Sequence, residues 1–242
     1  YLTENNNQSI INNSKSQNIY NNLYYSNNVH TQPNSNDIQK YFYERNNTYN
    51  GGYYLPPIKS YYKYTLVLDL DETLVFFQKD NDLIYNTYNT YNTYNTYSNY
   101  NSDINNRSTL ILRPGLMDFL LKMKPLYELV LFSFGTKEYV EHILSVIEKK
   151  EKIFEYVLYR DHATYEKGDY VKNLELLGRD LKKIIIVDDI PHTFKLQKSN
   201  GICIKPFYGD AISDRNTLKL LGKILETIRF DAEENDEDIR VS

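Results

Sequence analysis

The chain carries a single cysteine, Cys203, in 242 residues. A lone thiol excludes an intramolecular disulfide and fits a reducing compartment. Lying in Ile202-Cys203-Ile204, it reads as a small buried hydrophobe. No apolar run approaches the ~20 residues that cross a bilayer, so the sequence offers no membrane span, and no signal-peptide hydrophobic segment is visible. Arg45 is the only arginine among the first fifty residues, which argues against an arginine-rich transit peptide. Positive charge is not in excess: the formal net charge is −4, against the basic balance of a direct nucleic-acid binder. The four histidines, His30, His142, His162 and His192, show no metal-pair spacing. A Walker-type glycine loop is missing, which argues against an NTP-driven kinase.

Aliphatic residues are also scarce over long stretches. Residues 1–57 are dominated by Asn, Tyr and Ser and cannot bury enough apolar surface to offset chain entropy, so disorder is expected there. Residues 86–97 are four tandem Asn-Thr-Tyr triplets. A period of three matches neither strand nor helix, and residues 79–108 read as a low-complexity insertion, a long disordered loop. The compact domain is expected over residues 58–230, with 231–242 a solvated acidic tail.

Within that domain the apolar pattern is orderly. Strands are expected at 65–68, 129–132, 156–159, 184–187 and 202–204, with a hairpin from 74–77 and 109–112. Helices are expected from Pro114 as a first-turn proline, over 136–150, over 170–177 and over 216–228. Alternating strands and helices predict an α/β fold, a parallel sheet with helices on both faces.

The strands deliver chemistry at their C-terminal ends, where open α/β sheets place ligands. The first runs Leu66-Val67-Leu68-Asp69-Leu70-Asp71-Glu72-Thr73-Leu74. Two carboxylates this close repel unless a cation compensates them, and Mg²⁺ is held by one or two carboxylates plus phosphate oxygens. The second, Leu129-Val130-Leu131-Phe132-Ser133, ends on a hydroxyl beside a helix start, where it can join backbone N–H groups around a phosphate. Further on, Ile184-Ile185-Ile186-Val187-Asp188-Asp189 buries an aliphatic strand and ends on two acids. That is costly unless a cation or a lysine meets them.

The pattern Asp69-x-Asp71-x-Thr73 resembles the first motif of the haloacid-dehalogenase-like phosphohydrolases. Its form Asp-Leu-Asp-Glu-Thr-Leu is similar to the branch holding the RNA polymerase II C-terminal-domain phosphatases and the NLI-interacting-factor-like (Dullard-like) phosphatases. Ser133 resembles the second motif. Gly168-x-Tyr170-Val171-Lys172-x-Leu174, followed by Leu177-Gly178-Arg179-Asp180-Leu181, resembles the third, and Asp188-Asp189 the fourth, where many relatives carry Asn in place of Asp189.

The resemblance implies a three-layer Rossmann-like fold without a large cap domain, and a Mg²⁺-dependent protein serine/threonine phosphatase. Asp69 would be the nucleophile, forming an aspartyl-phosphate, and Asp71 the general acid and base. Thr73, Ser133, Lys172 and Arg160 would bind phosphate, and Asp69, Asp71, Asp188 and Asp189 would form the metal set. An acid at Asp71 suits a leaving alkoxide that needs a proton. The implied substrate is a phosphoprotein such as the RNA polymerase II C-terminal domain. The implied location is intracellular and nuclear, or the nuclear envelope, endoplasmic reticulum or mitochondrion if an N-terminal anchor precedes Tyr1. Two alternatives stand beside it: a non-catalytic peptide-binding relative of the mitochondrial presequence translocase receptor type, and a small-molecule phosphatase.

Overall fold

A computed structural model describes residues 52–79, 96–99, 108–235 and 238–240. Five parallel strands form the central sheet in the order β10-β9-β1-β5-β6. They are β1 (Thr65–Leu68), β5 (Glu128–Phe132), β6 (Tyr156–Leu158), β9 (Ile184–Asp188) and β10 (Gly201–Cys203). The three inner strands are buried along their whole length, as expected of a parallel sheet covered on both faces. Register places Leu66 beside Leu129 and Ile185, and Val67 beside Val130 and Ile186. One step beyond β1 and along β9, the same register sets Asp69 next to Asp188.

Side chains alternate between two cores. Leu66, Leu68, Leu129, Leu131, Ile185 and Val187 face the larger one. It is closed by α1 (Leu116–Met123), α2 (Lys137–Ile147) and α3 (Thr217–Asn235). Val67, Val130, Phe132, Ile184 and Ile186 face the smaller one, closed by Leu55, Leu174, Leu177 and Phe194. Crossover handedness explains the division. From β1 through α1 to β5 and through α2 to β6 the chain steps in one direction across the sheet. From β9 to β10 it steps the other way, and right-handed crossovers put those connections on opposite faces. The second face carries 3-10 turns instead of an α-helix: Leu174–Leu177 and the kinked run Pro191–Asn200.

The structure corrects several expectations. The helix over 170–177 is instead a strand, β8 (Asp169–Val171), paired with β7 (Thr164–Glu166) and followed by the 3-10 turn. Lys167, with φ 51°, and Gly168, with φ +95°, make the reversal between those strands, and two successive left-handed residues form a tight hairpin turn rather than a helical turn. Pro114 precedes α1 rather than opening it, because the left-handed Gly115 is the N-cap. Cys203 is exposed, since β10 is the sheet edge. The final helix runs on to Asn235, and Ala232 and Ile239 are buried. Ile239 N–H donates to the Lys182 carbonyl at 2.8 Å, so an apolar anchor sits within the stretch read as a solvated tail. Leu55 likewise joins the smaller core.

The hairpin is confirmed as β2 (Val75–Lys79) against β4 (Ser108–Leu112), with Val75 opposite Leu112. Part of the Asn-Thr-Tyr segment, β3 (Thr96–Asn99), pairs with β4. The rest of the expected insertion loop and residues 1–51 lie outside the described residues. Among the described residues, the chain between β1 and β4 contributes only strands and turns, with no helical cap.

A buried ion pair braces the N-terminal ends of the central strands. Arg179 Nε and Nη2 donate to the two Glu128 carboxylate oxygens at 2.7 and 2.8 Å, and Thr65 Oγ1 donates to Glu128 at 2.8 Å. Arg179→Ala leaves the Glu128 charge buried and unpaired, so the expected loss is ~3–5 kcal/mol. It is read as a lowered urea midpoint with unchanged slope; an unchanged midpoint would contradict the assignment.

Candidate active site

β1, β5 and β9 end side by side at the point where the chain's course across the sheet reverses, which is where a crevice opens in such folds. Asp69 follows β1 directly, and its N–H continues the sheet to the Val187 carbonyl at 3.0 Å. The chain then turns sharply. Leu74 and Val75 N–H groups both donate to the Leu70 carbonyl, and Glu72 adopts a left-handed φ of 55°, a strained conformation for a residue with a side chain. Arg113, fully buried at the end of β4, holds this turn in place. It donates to the Thr73 carbonyl at 2.9 Å, the Lys205 carbonyl at 2.7 Å, and both Asp214 oxygens at 2.6 and 2.8 Å. The Glu72 carbonyl accepts from Phe207 N–H at 2.7 Å.

Lys172 arrives from the smaller core, just after β8. Its backbone N–H donates to the Thr193 carbonyl at 2.7 Å. Its ammonium donates to Asp69 Oδ1 at 2.5 Å and to Asp188 Oδ2 at 2.6 Å, and lies 5.0 Å from the Phe134 ring centre. Burial works to discharge it, but Asp188 and Asp69 outweigh that and hold it above the ordinary lysine range. Asp188 Oδ2 also accepts from Thr193 Oγ1 at 2.7 Å, and Oδ1 from Ile190 N–H at 2.9 Å. With both oxygens engaged, Asp188 is suited to orienting Lys172.

The other expected residues fall into place unevenly. Asp71 accepts from the Tyr139 phenol on Oδ1 and from Ser133 Oγ at 3.4 Å on Oδ2. Ser133 is therefore at the site with its hydroxyl facing Asp71, and Gly135 N–H donates back to that hydroxyl at 2.9 Å. Thr73, read as a phosphate ligand, is fully buried and donates to Asp189 Oδ1 at 3.0 Å, so it orients a carboxylate. Arg160 Nε donates to the Phe134 carbonyl at 2.6 Å and ties down the turn after β5. Sequence reasoning missed Tyr139, Thr193 and Arg113. A tyrosine or threonine one turn into a helical segment carries no signal of its own, and an arginine before Pro-Gly reads as a surface residue.

Asp69 and Asp188 thus share one ammonium, and Asp71, Glu72 and Asp189 crowd beside them. Burial pushes Asp69 well above the usual carboxylate range despite the pull of Lys172. It raises Asp71 against the donors Tyr139 and Ser133. Asp189 is pushed to about 6 and Glu72 to about 8, by burial first and by neighbouring acids second. Ligand oxygens of Asp69, Asp188 and Asp189 lie within 4.8 Å of one another. A hard dication fits this all-oxygen set, because it removes the repulsion that burial amplifies.

The family model for NLI interacting factor-like phosphatases matches residues 64–240. The CTD small phosphatase-like protein 2 of Dictyostelium discoideum is 34% identical over 191 residues, covering 77% of this chain and 30% of that protein. The mitochondrial import inner membrane translocase subunit TIM50 of Kluyveromyces lactis is 37% identical over 109 residues, covering 45% and 22%. A fission yeast RNA polymerase II CTD phosphatase, Fcp1, bound to beryllium fluoride superposes with a TM-score of 0.46 at 22% identity, covering 72% and 53% of the two chains. The chain spans between 30% and 52% of the length of three of the curated relatives it matches.

The raised acids set a sign for stability. A carboxyl that holds its proton more tightly when folded stabilises at low pH and loses that contribution as pH rises through its folded value. Glu72 spans 4.5 to about 8. With chelator present, the melting temperature is expected to fall from about pH 5 to about pH 8, and Glu72→Gln flattens the fall. Mg²⁺ is expected to raise the melting temperature more at the upper end. A melting temperature that climbs over this range in chelator would contradict the site's electrostatics.

Proposed function

The chain belongs to the NLI interacting factor-like phosphatase family, and from that premise we propose that it is a Mg²⁺-dependent phosphoprotein phosphatase working through an aspartyl-phosphate on Asp69. The observation that carries this reading is the buried Lys172 ammonium shared between Asp69 and Asp188, with Asp71 and Asp189 completing an acidic crevice.

Asp69 attacks phosphorus, and the bond to the leaving oxygen breaks. Asp71 gives that oxygen a proton, so a serine or threonine hydroxyl departs. Asp71 then takes a proton from water as the water oxygen attacks the same phosphorus, releasing phosphate and restoring Asp69. Lys172, the Ser133 hydroxyl and backbone N–H groups after Asp69 stabilise the charge spread over the equatorial oxygens. Asp69, the Asp71 carbonyl and Asp189 would hold Mg²⁺, with Thr73 orienting Asp189. Bound there, the cation would neutralise phosphate charge and allow the carboxylates to approach it.

One feature favours a protein substrate: the described residues carry no helical cap over the crevice, and a crevice without one admits a chain. Asp71 provides the proton that an alkoxide leaving group needs, from a serine ester and a sugar ester alike. A phosphorylated tail such as that of RNA polymerase II, and with it a nuclear location, follows as the proposed setting. The similarity to a translocase subunit favours a second reading, a peptide-binding domain without turnover; the intact acids Asp69, Asp71, Asp188 and Asp189 weigh against it.

The test is hydrolysis of p-nitrophenyl phosphate and of a phosphoserine peptide with Mg²⁺, beside EDTA and Asp69→Asn. Both controls are expected to abolish turnover, because the variant lacks the nucleophile, and the peptide is expected to outpace a sugar phosphate. A folded, Mg²⁺-supplied protein inert to all three substrates would refute the enzymatic reading in favour of the peptide-binding one. A sugar phosphate that outpaces the peptide would point to a small-molecule phosphatase.

A further inference from the structure

Tyr139 is held by its surroundings. It lies in the first turn of α2, whose N-cap Thr136 accepts from Tyr139 N–H. Its ring passes over the turn after β5, where only glycine fits. A Cβ on Gly135 would stand 2.6 Å from Tyr139 Cδ1, 3.0 Å from Val140 Cγ2 and 3.1 Å from Ser133 Oγ. The ring also packs against Phe77 of β2, with centres 5.4 Å apart. Held by a bare backbone and an aromatic ring, the phenol donates to Asp71 Oδ1.

Asp71 has little else to hold it. Ser133 Oγ reaches its other oxygen at a long 3.4 Å, while Lys172 is committed to Asp69 and Asp188. We propose that Tyr139 is the positioning residue for Asp71, fixing the carboxyl so that it faces the leaving oxygen, and that Gly135 and Phe77 exist in this geometry to place the phenol. The inference rests on the phosphatase reading above and deepens it: it assigns part of the capacity to cleave alkyl phosphate esters to a residue outside the recognised motifs. The proton itself travels from Asp71 to the departing oxygen as the phosphorus–oxygen bond breaks. Tyr139 keeps its own proton throughout, and touches neither phosphorus nor the leaving group.

A positioning role for the acid predicts dependence on the leaving group. An alkoxide must be protonated to depart, whereas p-nitrophenolate leaves unaided, and general-acid catalysis contributes ~10²–10⁴-fold where it is needed. Tyr139→Phe keeps the ring and removes the hydroxyl. The expected result is a pre-steady-state rate of leaving-group release, the step before the aspartyl-phosphate common to both substrates, lowered roughly 10–100-fold on a phosphoserine peptide, with little change in KM and much less loss on p-nitrophenyl phosphate. The melting temperature records that the variant is folded. Equal losses on the two substrates would make Tyr139 merely structural and overturn the proposal, as would a raised KM at unchanged kcat, the mark of a peptide contact. A wild-type protein inert on both substrates would overturn the phosphatase reading itself, a result distinct from either of these.

Discussion

The ammonium of Lys172, buried between Asp69 and Asp188, is the interaction around which the rest of the molecule is arranged. Breaking a buried charge pair by removing one partner costs several kcal/mol, and here one lysine answers to two acids on adjacent strands. The parallel register of β1 and β9 brings those acids together. The β7–β8 ribbon and the 3-10 run after β9 bring the lysine to them from the smaller core. Replacing the helix that α/β alternation suggests with short turns on that face serves this purpose: β8 ends where Lys172 begins, and the Thr193 carbonyl and hydroxyl fasten the lysine backbone and Asp188 together.

A second constraint is the turn from Leu70 to Leu74. It compresses two acids, Asp71 and a strained Glu72, together with a buried Thr73 into one reversal, and nothing within the turn balances its charge. Arg113 braces the turn from outside, donating to the Thr73 and Lys205 carbonyls while Asp214 meets its charge. The acids left over, Asp71 and Asp189, are those whose protons burial holds most visibly along with Asp69 and Glu72. Stability has been traded for a concentrated negative crevice, the usual sign of a site shaped for function.

Much of this was legible because it rests on periodicity. The five central strands, the hairpin and three helices follow from apolar runs whose lengths and spacing leave few alternatives, and strand-end acids mark themselves by sitting where burial is expensive. Other features were not legible, because they depend on long-range partners. Residues 170–177 look helical by composition, and only Gly168 and the pairing to β7 make the first part a strand. Cys203 looks buried because its neighbours are apolar, but exposure depends on strand order. Thr73 and Ser133 read as phosphate ligands from their motifs, while their hydrogen-bond targets, Asp189 and Asp71, lie 116 and 62 residues away in sequence. The acidic run near the C-terminus hid Ala232 and Ile239, two apolar contacts in a stretch dominated by charge.

The account stands or falls on a covalent step at Asp69. The most direct measurement is to quench the protein during turnover of a phosphoserine peptide with Mg²⁺, reduce it with borohydride, and map the product by mass spectrometry. An acyl phosphate at Asp69 is reduced to homoserine, so the account predicts that residue at position 69 and unmodified aspartate at positions 71, 188 and 189. Homoserine at another of these acids, or hydrolysis proceeding with Asp69 unmodified, would contradict it.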